Sequence, residues 1–335
     1  MKEITIRNLD NYELSNRNGM YGGNAGSKDG ILIDGEYWIV KYPKSTKFLS
    51  GDKSELGSYS TAPLSEFIGS HIYDILGYDV HETILGYRNN KIVVACKDFC
   101  ESDNVFLREF RTIKNIYNKD VESMIEEHLS STSSSNSLEI EELLIHLKYN
   151  PILSKIEGIT ERFWDCAVVD AFIANNDRNN GNWGLLVENN EYKLAPIFDN
   201  GASFANKASE EKIKRMLANP HAMESSALNA ATMYSDDGKI LTFKKLAEKF
   251  IDNMEFCRAL KKNVELIKSK LDEISEFISE IPETYEGELV CSPARKEFYT
   301  LGLEIRLEKM FESLYEKIEE YYPELKKKRN MEIEF

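Results

Sequence analysis

Asn175-Asn176-Asp177-Arg178-Asn179-Asn180-Gly181-Asn182-Trp183-Gly184, followed by Pro196-Ile197-Phe198-Asp199-Asn200-Gly201, is the stretch on which the fold turns. It holds an Asp-x₄-Asn, from Asp177 to Asn182, and then an Asp-x-Gly at Asp199. Three oxygen-bearing side chains in that order suit phosphoryl transfer, in which one carboxylate orients an attacking hydroxyl and two further oxygen ligands hold Mg²⁺ against phosphates. The plainer reading is a surface turn, because Asn, Asp and Gly are turn formers. The flanks argue against it. Phe163, Trp164, Ala167, Val168, Ala171 and Phe172 share one helical face leading into the loop. The apolar run from Trp183 to Val187, the turn Glu188-Asn189-Asn190-Glu191 and a returning strand from Tyr192 to Phe198 predict a hairpin. That hairpin brings Asp199 back beside Asn182, where both reach one metal.

Working outward, the N-terminal part offers three matching segments. Tyr21-Gly22-Gly23-Asn24-Ala25-Gly26-Ser27-Lys28 is a glycine-rich turn whose Gly22, Gly23 and Gly26 let backbone N–H groups approach phosphate oxygens. It is neither a Walker A loop nor a dinucleotide fingerprint. Alternation at Ile31-Leu32-Ile33 and Tyr37-Trp38-Ile39-Val40 around Asp34-Gly35 predicts a hairpin, and Lys41 stands at the end of its second strand. A helix from about Leu64 to Leu76, with Pro63 before it and Gly77 after it, carries Glu66 in its first turn. Taken singly, Lys41 reads as a solvated strand lysine and Glu66 as an acid favoured by the helix dipole. Taken together, a carboxylate holds an ammonium that neutralises phosphates.

The 335 residues allow two cores, since single cores rarely grow past about 250–300 residues. A hydrophobic fraction of 42% and a charged fraction of 30% are those of a globular chain. No apolar run reaches the roughly 20 residues that cross a bilayer, and the start lacks a signal-peptide core, so the expectation is a cytoplasmic protein without a membrane partner. A net charge of −15 disfavours nucleic-acid binding. The basic run Lys326-Lys327-Lys328-Arg329 reads as a solvated helix end. Cys96, Cys100, Cys166, Cys257 and Cys291 lack a second pair at ligand spacing and read as reduced, structural thiols. The tract from Ser130 to Ser137 reads as a surface loop, with a phosphorylation target as the rival reading. After Phe99 the pattern is mainly helical, with long helices over 242–280 and 294–324.

The run N-x-D-R-x-x-x-N, the strand ending Lys41-Tyr42-Pro43 and the acid loop Ile197-Phe198-Asp199-Asn200-Gly201 resemble the HipA-like serine/threonine kinases of bacterial toxin systems. The segment from Lys91 to Phe99 is similar to its short CtkA-like branch of cell-translocating kinases. The resemblance implies Asp177 as catalytic base, Asn182 and Asp199 as Mg²⁺ ligands, and Lys41, partnered by Glu66, on the ATP phosphates. It also implies that main-chain atoms around Cys96 to Asp98 hold the adenine. Asn179 departs from the family, which often places His there. The family's N-terminal subdomain, which meets an antitoxin, has no room before a glycine loop near residue 21, so an antitoxin–operator complex is not expected. Autophosphorylation of the glycine loop makes Ser27 a candidate, with a plain loop serine as its rival.

The expectation is an α+β, two-lobed protein-kinase-like fold, with a β-rich N-lobe over 1–99 and a helical C-lobe over 100–335. Its expected activity is transfer of the ATP γ-phosphoryl group to a protein Ser or Thr. A small-molecule kinase of the aminoglycoside or phosphoinositide type and a catalytically silent nucleotide-binding module are the alternatives. Translocation into a host cell is a trait that the resemblance adds.

Overall fold

The computed structural model describes residues 4–21, 28–49, 55–116, 119, 121–122 and 138–322. Gly22, Gly23, Gly26, Ser27, the serine tract up to Ser137 and the basic run Lys326–Arg329 lie outside the described residues.

Asp34 and Gly35 both take left-handed backbone (φ 53° and 85°), which suits a two-residue hairpin turn. The turn sets β2 (Lys28–Ile33) antiparallel to β3 (Glu36–Lys41), with Lys28 opposite Lys41. With β1 (Arg7–Asn8), β4 (Thr83–Arg88) and β5 (Lys91–Lys97) these strands form a five-stranded sheet in the order β1-β4-β5-β3-β2. Side chains alternate across a strand. Trp38, Val40, Val93 and Ala95 close a small core on one face. Lys41, Val94 and Cys96 therefore point to the other, which α1 (Ala62–Ile75) covers. Buried between that face and the C-lobe, α1 is apolar or packed on nearly every side, and His71 stacks on Phe277 at 4.8 Å.

The C-lobe begins with a strand where helix was expected. β6 (Val105–Glu109) pairs with β8 (Gly184–Glu188), which pairs with β9 (Glu191–Leu194), and the short α2 (Phe110–Ile113) follows β6. Between them come β7 (Leu138–Glu139), α3 (Ile140–Tyr149) and α4 (Ile159–Ile173). After them come α5 (Glu210–Leu217) and α6 (Pro220–Leu228), and then a second hairpin of β10 (Ala231–Asp236) and β11 (Lys239–Thr242).

The helix expected over 242–280 is two, α7 (Phe243–Lys249) and α8 (Met254–Glu280), because the Asn253 side chain accepts from Phe256 N–H and starts a new helix. After the short strands β12 (Thr284–Tyr285) and β13 (Glu288–Leu289), the last helical stretch also departs from a single helix. α9 (Pro293–Arg306) widens into a π-helical turn over Leu307–Phe311 before α10 (Glu312–Tyr321).

The result is an α+β fold of two lobes. One continuous core runs from Ile6, Phe67 and Cys96 through Trp164 and Phe172 to Phe311 and Ile318, so α1 shares the core of the helical lobe. Among the described residues no helix is long and apolar enough to cross a membrane.

Candidate active site

Lys41 ends β3 facing α1, and its ammonium meets two carboxylates from different elements. Glu66 Oε2 of α1 lies 3.2 Å from Nζ, and Asp199 accepts a hydrogen bond through Oδ1. Burial alone would lower the Lys41 pKa, but Asp199 and Glu66 outweigh it and hold it well above the ordinary lysine value. Burial likewise pushes the two acids up, and Lys41 overcomes it and holds both below the usual carboxylate range. Glu66 is 2% exposed, and His81 Nε2 sits 2.9 Å from its Oε1. Cys96 is buried beside this group, and burial pushes its thiol up, away from thiolate chemistry. All five cysteines are free.

The hairpin of β8 and β9 forms on an Asn189-Asn190 turn with left-handed backbone, with Leu185 opposite Leu194. It returns the chain to Asp199, itself at φ 58°. Arg178 ties the two loops together. All five of its N–H groups have acceptors: Nε and Nη2 reach Asp170 Oδ2 and Oδ1 at 2.8 Å each, Nη2 also reaches Asn200 Oδ1 at 2.6 Å, and Nη1 reaches the carbonyls of Asn182 and Phe198. The peptides beside the two expected metal ligands thus converge on one guanidinium nitrogen. The network continues into the N-lobe, since Asn200 Nδ2 donates to Ser70 Oγ at 3.0 Å, and Ser70 Oγ lies 3.1 Å from His81 Nε2. Tyr73 of α1 donates to Asp170 Oδ1 at 2.9 Å.

Asp177 is exposed at the tip of its loop. Asn179 donates to Asp177 Oδ1 at 2.9 Å while accepting from Gly181 N–H at 2.8 Å. It holds the acid's orientation, a role that its spacing did not reveal. Asn182 donates its Nδ2 to the Asp177 carbonyl, leaving its Oδ1 to coordinate. Asp199 meets Lys41 through Oδ1, which leaves Oδ2 on a side chain 33% exposed. Two such oxygens fit a hard cation such as Mg²⁺.

At the expected adenine contact, around Cys96 to Asp98, two main-chain N–H groups already have partners. The N–H of Lys97 is taken by Glu82 O and that of Asp98 by Tyr37 O, so sheet pairing continues through both. Asp98's carboxylate accepts from Arg17 and Tyr21 at 2.9 Å each and from Cys100 N–H. It buttresses the connection between lobes, and Arg17 also donates to the Cys100 carbonyl at 2.5 Å. Arg17, Arg178 and Asn200 were missed in the sequence. For the last two the signal was an Arg directly after Asp177 and an Asn directly after Asp199.

No family profile matches the chain. It is 34% identical over 201 residues to serine/threonine-protein kinase CtkA of Helicobacter pylori, a match taking in 59% of this chain and 56% of that protein. The chain thus spans little more than half the length of that curated relative. The crystal structure of the H. pylori proinflammatory kinase CtkA superposes with a TM-score of 0.77 at 26% identity, covering 94% of this chain and 99% of that one. HipA from the Shewanella oneidensis MR-1 toxin–antitoxin complex of HipA, HipB and operator DNA is similar at a TM-score of 0.52 and 11% identity, over 89% of this chain and 69% of that one. That second likeness is one of fold.

Proposed function

We propose that this relative of CtkA, built on the HipA-like kinase fold, is an ATP- and Mg²⁺-dependent serine/threonine protein kinase. The observation that carries the reading is Lys41, lodged between Glu66 of α1 and Asp199 of the metal loop. Nothing structural requires three separate elements to bring a lysine and two acids to one buried point. Phosphate neutralisation beside a cation does require it.

In this reading Lys41 presents its charge to the nucleotide phosphates, with Glu66 fixing its direction. Asn182 and Asp199 would hold Mg²⁺. Mg²⁺-ATP, when bound, supplies the phosphoryl group and the charge that steadies its transfer. Asp177, its Oδ1 held by Asn179, turns Oδ2 to an acceptor hydroxyl and takes the proton released as the oxygen attacks. Arg178 keeps the two loops in register. The reading includes autophosphorylation, with Ser27 of the glycine-rich turn as a candidate acceptor and a plain loop serine as its rival.

Incubation with Mg²⁺ and labelled ATP, with and without a generic basic protein, tests this. Label should enter the added protein and the chain, and Asp177→Ala should lower incorporation about 100-fold or more. Transfer to an aminoglycoside or inositol lipid alone, ATP binding without turnover, or undiminished labelling by Asp177→Ala would overturn it.

A further inference from the structure

Two arginines of the helical lobe are equally buried, at 5% exposure, and satisfied very differently. Arg178 has an acceptor for each N–H and a bidentate carboxylate. Arg306, the last residue of α9, donates Nε to the Phe172 carbonyl at 2.6 Å, its one hydrogen bond among the described residues. No carboxylate there opposes its charge, and burial alone pushes the guanidinium down to about 10. The carbonyl at the end of α4 carries the negative pole of that helix, which offsets part of the charge and engages one donor of five. The remaining fork lies beside Gly302, where an added Cβ would stand 3.4 Å from Nη2.

Arg306 and Gly302 both line a cavity of ≈ 170 Å³. Phe298 and Tyr299 wall it, and the exposed Asn176, Ser226 and Asn229 rim its mouth. Asn176 directly precedes Asp177, and Ala205, which follows the metal loop, completes the same wall. The cavity therefore opens beside the acid that meets the acceptor hydroxyl. The helix carrying Arg306 passes at once into the π-helical turn over Leu307–Phe311, a departure that recurs at functional sites.

We infer that the Arg306 cavity is an oxyanion-binding subsite of the acceptor side, taking the carboxylate or phosphate group of an acidic side chain on the polypeptide to be phosphorylated. A guanidinium fork matches both groups through paired N–H donors. The identity of the occupant rests on the kinase reading; the anion chemistry rests on the unopposed arginine.

The experiment has two arms. Thermal melts of the full chain carrying Lys28→Met and Lys41→Met, which remove the two cations beside Asp199, are run in inorganic phosphate and in chloride at matched ionic strength. Phosphate should raise the melting temperature by a few degrees. Adding Arg306→Gln, or Asn176→Asp at the exposed rim where folding is not at risk, should remove most of the rise. No rise, or an equal rise with both additions, overturns the subsite whatever the catalytic activity. In the second arm the unsubstituted chain phosphorylates serine peptides with Asp, phosphoserine or Asn fixed at each flanking position. An anionic residue at a given position should improve kcat/KM about tenfold over Asn. The preference should vanish in Arg306→Gln, and its persistence there would overturn the acceptor assignment. Loss of all transfer with the phosphate rise intact would strike the kinase reading and the acceptor assignment while leaving the anion site standing.

Discussion

Arg178 shows what a single side chain contributes when each of its donors is used: it joins Asp170 of α4, the Asn182 carbonyl, the Phe198 carbonyl and Asn200. A lysine has neither the fork nor the number of donors for this. Lys41 works differently, as a point charge whose value depends on two acids. The direction of their shifts fixes a pH dependence. Glu66 and Asp199 are held below their ordinary values, so their contribution to stability is full above the usual carboxylate pKa, near 4, and is lost as pH falls through the lower folded values. Lys41 is held above its ordinary value, so its contribution is full below about 10.5 and fades above it. Glu66→Gln should therefore lower stability by about 3 kcal/mol at pH 7 and flatten the acid limb of a plot of melting temperature against pH. A variant whose acid limb parallels the original would show that the Lys41–Glu66 pair does not carry that dependence. Spacing made Lys41, Asp177, Asn182 and Asp199 candidates, and the meeting of Lys41 with Asp199 follows from the two hairpins that spacing and turn residues predicted. The partners of Arg178 were not legible, since a hydrogen-bond network across four segments leaves no period in the chain.

Turn and cap chemistry made several elements readable before their packing was known. Asp34-Gly35 and Asn189-Asn190 gave both hairpins of the site, and Gly77 marked the end of α1, whose start falls one residue before Pro63 rather than after it. The same logic would have found β10 and β11, joined at Asp237-Gly238, had that pair not been read as part of a helical region. What propensity does not reveal is close approach. On α1, Gly69 faces the Asp199–Gly201 loop, and a Cβ there would stand 2.9 Å from Asn200 Cβ and 3.4 Å from Ile173 Cδ1. In an exposed helix Gly to Ala gains about 1 kcal/mol. Here Gly69→Ala should instead destabilise the protein and cut phosphoryl transfer about tenfold or more, because α1 must withdraw and carries Glu66 away from Lys41. Retained transfer together with a raised melting temperature would show that α1 tolerates the displacement.

At the scale of the whole molecule, the split near residue 99 describes composition better than packing. The sheet's outer face has its own small core, but α1 and the inner face belong to the core of the helical lobe. Heat should therefore unfold the chain in one transition with calorimetric and van't Hoff enthalpies in agreement. Two resolved transitions would mean that the lobes come apart as independent units. Sequence periodicity could place strands before helices but not this sharing, because it arises from which faces meet across the cleft. The stacking of His71 on Phe277 of α8 bears on control. In a kinase governed by a swinging helix, the Lys–Glu pair is made and broken as the helix moves. Here such a swing would unstack the rings, strip Tyr73 from Asp170 and open the main core, a loss on the scale of unfolding. The pair is thus assembled as the chain folds, and any brake on the site has to act at the door of the cleft rather than at its hinge pin.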